Sequence, residues 1–115
     1  MNEERKAKFS SLAKRLKAMS EDQKIGIVLG RGIVNVEGKA LSLNNMVLLL
    51  FQANGTVPTV VGGFKQWKTA GRYVKKGEHG LMIWYPSRNK VEEGEAEELR
   101  FFVGTVFDIS QTEAK

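Results

Sequence analysis

Thr59-Val60-Val61-Gly62-Gly63-Phe64-Lys65-Gln66-Trp67-Lys68-Thr69-Ala70-Gly71 is the stretch on which the fold reading rests. Pro58 biases the residue before it away from helix, so residues 57–61 read as extended. Gly63 to Ala70 then reads as a short helix with Phe64 and Trp67 on one face, and Gly71 is its stop. A strand, a break and a short helix within so few residues point to a mixed α and β domain.

Downstream, Lys75-Lys76-Gly77-Glu78 is turn-like, and residues 81–85 and 101–109 are the best strands, rich in aromatic and β-branched residues. The linker between them carries Glu92, Glu93, Glu95, Glu97 and Glu98, which predicts an acidic loop at 87–99. Upstream, Ser42 caps a helix over 43–53 that is apolar nearly all round and should therefore be the buried central helix. Residues 33–36, a turn at Glu37-Gly38 and residues 39–41 read as a strand, a tight turn and a returning extended segment. Residues 3–19 show apolar Phe9, Leu12, Ala13, Leu16 and Met19 at helical spacing among basic side chains. Ser20 and Gln23 form a capping-box signal for a second helix over 21–29. The expected fold is α+β: an antiparallel sheet with a main hairpin of 81–85 with 101–109, packed by several short helices. Residues 1–20 form a basic amphipathic helix, and 21–115 a single domain.

The chain has 115 residues, a formal charge of +5, one His and no Cys. The length suits one small domain. Absence of Cys excludes a disulfide scaffold, a thiolate zinc site and a Cys nucleophile, and a single His excludes two-His zinc motifs. The longest apolar run, 46–51, is far short of the roughly 18 residues a membrane span needs. With no hydrophobic signal region at the N-terminus, the expected compartment is cytoplasmic.

Few residues suit catalysis. The glutamates of 92–98 lack metal-ligand spacing and read as a solvated loop, and His79 lies in a glycine-flanked turn and reads as a surface residue. Gly62-Gly63 and Gly30-x-Gly32 fit neither the Walker nor the dinucleotide pattern. No catalytic residue, metal site or cofactor is expected. The charge distribution is more informative: Lys65, Lys68, Arg72, Lys75 and Lys76 fall in one window without an acid, and Gln66, Trp67, Tyr73 and Trp84 lie among or just beyond them. Cations follow phosphates while aromatic faces stack on unpaired bases, so the combination suits single-stranded nucleic acid. Phe64 and Val74 read as core; Trp67 and Trp84 fit either core or stacking.

Residues 59–71, followed by Val74-Lys75-Lys76-Gly77-Glu78-His79-Gly80, resemble the N-terminal domain of ArdC-type antirestriction proteins. Asn45 with its apolar helix is similar to the family's asparagine followed by leucines, and Val106-Phe107-Asp108-Ile109-Ser110-Gln111-Thr112-Glu113 to its closing strand. Leu41 and Leu43 depart from the tyrosine and glycine more usual there. The resemblance implies a non-enzymatic single-stranded DNA-binding domain from a plasmid, phage or other mobile element, with little sequence preference. Its contacts would be Lys65, Gln66, Trp67, Lys68, Arg72, Tyr73, Lys75, Lys76 and Trp84, and a restriction or DNA-processing protein is a further partner class. The metallopeptidase domain of longer relatives carries two histidines around a glutamate, which one His does not provide. Two alternatives stand beside this reading: a protein-interaction module whose basic patch meets an acidic surface, and a hydrolase subunit.

Overall fold

The computed structural model describes residues 3–53, 55–86 and 101–115, so the acidic loop expected at 87–99 lies outside the described residues. In chain order the elements are α1 (Glu3–Lys17), α2 (Glu21–Val28), β1 (Val34–Asn35), α3 (Leu43–Gln52), β2 (Val60–Gly62), α4 (Phe64–Thr69), β3 (Arg72–Val74), β4 (Leu81–Pro86), β5 (Phe101–Asp108), a 3-10 turn (Ile109–Gln111) and β6 (Thr112–Ala114). The architecture is α+β, as expected. A four-stranded sheet runs β1-β2-β5-β4, and β3 pairs with β6 in a two-stranded sheet. All pairs are antiparallel except β1 with β2, which α3 connects as a parallel crossover. The hairpin strands β4 and β5 run in register from Leu81 opposite Val106 to Pro86 opposite Phe101.

Local chemistry sets the boundaries. The Ser20 hydroxyl accepts the Gln23 N–H while the Gln23 side chain accepts the Ser20 N–H, closing the capping box that starts α2. Ser42 likewise accepts the Asn45 N–H at the start of α3. Residues 33–41 form a shorter version of the expected strand, turn and return: β1 has two residues, and Val34 meets Ala40 through an isolated bridge. The pairing of β3 with β6 is not anticipated by the sequence.

α3 lies along the outer edge of β4 and reaches both faces of the sheet. Val47 and Leu48 join Leu12, Leu16, Val28 and Met82 in one cluster, whereas Leu49 joins Ile33, Val61, Ile83 and Val106 in another. Met82 and Ile83 point to opposite faces because side chains alternate along a strand. Two amides of α3 satisfy the edge itself. Asn45 accepts the Trp84 N–H at 2.8 Å and donates to its C=O at 2.9 Å. Gln52 does the same for the peptide groups of Met82, both at 2.8 Å. A sheet edge that would otherwise offer unpaired backbone groups to another chain is thereby covered. α1 adds Leu12 and Leu16 to the first cluster, and Arg15 stacks over Phe51 at 3.9 Å.

Candidate nucleic-acid interface

All the expected contact residues except Trp84 occupy α4, β3 and the turn that follows. α4 is held down by Trp67, which is only 2% exposed and donates its indole N–H to the Phe107 carbonyl at 2.9 Å. Gly62 permits this close packing, because a Cβ there would fall 2.4 Å from a methyl of Val36 and 3.3 Å from the indole nitrogen. Gln66 closes the N-terminus of α4: its side-chain oxygen accepts the Gly63 N–H at 2.8 Å. Lys65 and Lys68 are exposed.

Phe64 corrects the sequence reading. Expected in the core, it is 62% exposed. The first residue of a helix directs its Cβ back past the helix end, and so Phe64 overhangs while Trp67, one turn on, takes the packed position. Lys68 stands four residues after Phe64, on neighbouring ground of the same helix surface.

After the Gly71 stop, β3 alternates. Tyr73 is 44% exposed, and its hydroxyl donates to Glu113 at 2.7 Å across the β3–β6 pair. The Glu113 carboxylate, as hydrogen-bond partner and as charge, raises the Tyr73 phenol above its ordinary pKa. An acid from β6 thus enters a window that has none in sequence. Arg72 is committed inward, its guanidinium donating to the Thr112 hydroxyl at 2.7 Å and to the Thr112 carbonyl at 3.1 Å. The Glu78 N–H donates to the Lys75 carbonyl at 3.3 Å, and Gly77 at φ +87° supplies the positive φ of the third turn position. This turn presents exposed Lys76 and half-buried Lys75. Trp84 lies apart from these residues on β4, half-buried against the helical core with Phe9 edge-on at 5.6 Å.

Lys65, Gln66, Lys68, Tyr73 and Lys76 are thus exposed and Lys75 half-buried along one short run of chain, with Phe64 exposed at its start. The structure places Trp67, Arg72 and Trp84 in packing or hydrogen-bonding roles. A signal for Phe64 existed: of the two aromatics of α4, only Trp67 carries an N–H able to anchor to a buried carbonyl.

A separate cleft of 520 Å³ is lined by Lys8, Glu78, His79, Asp108, Ser110 and Gln111 among others. Several of its polar groups are spent on the fold. Asp108, 4% exposed, accepts from the Thr59 N–H and from both the N–H and hydroxyl of Ser110. Gln111 donates to the His79 carbonyl and to Glu78. Among the described residues, no group of three or more His, Cys, Asp or Glu is placed to hold a metal ion, and no helix is long and apolar enough to cross a membrane.

These features define a small α+β domain with a basic, partly aromatic surface built on a short helix and the strand after it. Residues 10–108 match the family model for the N-terminal domain of anti-restriction factor ArdC, and the chain belongs to that family. Two crystal structures of the antirestriction ArdC protein from the R388 plasmid share the fold. The Mn(II)-bound form matches with a TM-score of 0.62 at 21% identity, covering 80% of this chain and 38% of that one. The metal-free form matches with a TM-score of 0.55 at 23% identity, covering 73% and 33%. The chain thus spans little more than a third of the R388 protein. No curated protein matches it.

Proposed function

We propose that this domain binds single-stranded DNA with little sequence preference, without catalysis, as a cytoplasmic component of antirestriction or DNA transfer in a mobile element. The observation that carries the reading is the exposure of Phe64 and Tyr73 among Lys65, Lys68, Lys75 and Lys76. Lysines hold phosphates of either a duplex or a single strand, but exposed rings gain only from bases that are unstacked. Phe64 takes the stacking role for which Trp67 is one candidate in the sequence. The family membership and the antirestriction name of the R388 relative support the biological setting.

Competition at matched salt tests this. A labelled single strand should be displaced more effectively by unlabelled single strand than by duplex of equal length. Equal or better displacement by duplex refutes the proposal.

A second reading, a protein-interaction module meeting a restriction or DNA-processing protein, is favoured by α2 and its C-terminal end. Ile25 and Leu29, one turn apart, are 53% and 76% exposed, an apolar pair with no evident use in DNA binding.

A further inference from the structure

We infer that the hollow between α4 and the β1 turn is a pocket for one unstacked nucleobase, an inference that rests on the single-strand reading and gives it a second point of contact. The hollow encloses 340 Å³ and is lined by Val36, Glu37, Lys65, Gln66, Thr69 and Ala70. That volume is at the lower end of small-ligand sites, which enclose about 300–1,000 Å³.

Its chemistry selects a base over a phosphate. Val36, Ala70 and the stem of Lys65 supply apolar surface for a flat ring. Glu37 contributes a carboxylate, which repels a phosphate but accepts from the ring N–H and amino groups of a base edge. Gln66 also lines this mainly apolar hollow, and its carboxamide is a donor available to the same edge. Because its oxygen is held by the Gly63 N–H, the orientation of the carboxamide is fixed, and its NH₂ makes no hydrogen bond within the described residues. A preorganised donor loses little freedom on binding. Lys65 belongs both to this lining and to the exposed basic surface of α4, so a strand whose phosphate meets Lys65 has a base within reach of the pocket.

The test compares a labelled oligonucleotide with a strand of equal length built from abasic spacers, using the full chain. Ala70→Leu narrows the pocket while leaving every lysine, Phe64 and Tyr73 in place; Thr69→Leu does so from the next position. Both positions are exposed, and thermal melting verifies each fold. The wild type should bind the base-bearing strand roughly tenfold more tightly than the abasic one. Each variant should lose about fivefold or more on the base-bearing strand and nothing on the abasic strand. If both variants bind both strands as the wild type does, the pocket is overturned while single-strand binding stands. If the wild type binds neither strand, the single-strand reading itself fails and the pocket with it.

Discussion

Phe64→Ala and Trp67→Ala should have opposite consequences although the two residues share one turn of α4. Trp67 is 2% exposed and anchored to the Phe107 carbonyl, so its removal leaves a cavity and a lost hydrogen bond. Large aromatic truncations in cores cost about 3–5 kcal/mol. At about 4 °C per kcal/mol for a domain of this size, the melting temperature should fall by on the order of 15 °C. Phe64, at 62% exposure, has little packing to lose, and its truncation should stay within about 0.5 kcal/mol of wild-type stability. Its loss should appear instead in DNA binding, where one stacking platform contributes about 1–3 kcal/mol. Thermal unfolding followed by circular dichroism and anisotropy titration with a short single strand measure both quantities on each variant. The reasoning is refuted if Phe64→Ala melts well below wild type, or if it melts normally and binds single strands with unchanged affinity.

Asn45→Ala removes both bonds that this side chain makes to the Trp84 peptide and should cost about 2–3 kcal/mol; hydrogen exchange at the Trp84 amide should accelerate, and unchanged exchange would show that the Asn45 bond is not what protects it. Replacing Lys75 and Lys76 with Ala should weaken binding about equally across sequences and flatten the dependence of log affinity on log salt by roughly 0.7 per lost contact. An unchanged slope would make that turn ordinary solvated surface.

What was legible in the sequence was local. The Ser20–Gln23 box and the Ser42 cap mark helix starts because both partners lie within one turn, and β4 and β5 stand out because their aromatic and β-branched runs suit no other element. What failed depended on partners distant in the chain. β3 and β6 are three residues each and show no alternation long enough to read; their pairing, with the Arg72–Thr112 and Tyr73–Glu113 side-chain bonds that accompany it, joins residues about forty apart. The same separation hid the acid beside Tyr73. Asn45 could be singled out by resemblance, but its task of closing the β4 edge required knowing which strand is outermost. Helical spacing puts Phe64 and Trp67 on one face; the end of the helix, and a carbonyl on β5, separate them.

Charge alone does not decide where a nucleic acid would lie, because α1 is also basic. Lys6, Lys8, Lys14 and Lys17 are exposed on it, whereas Arg5 donates to Thr105 and Arg15 is stacked on Phe51. The difference lies in where the rings go. On α1 the one aromatic, Phe9, is turned against Trp84 and the helical core, so the solvent side of that helix is without aromatic surface. On α4 and β3 the relation is reversed: Trp67 is spent on packing, and Phe64 and Tyr73 remain outside among lysines. A surface of charge without rings attracts any phosphate array, and more strongly the denser array of a duplex. Rings add binding energy only with bases a duplex keeps stacked. Preference for single strands is therefore a property to be sought on α4 and β3, with α1 contributing a general attraction that salt would screen first.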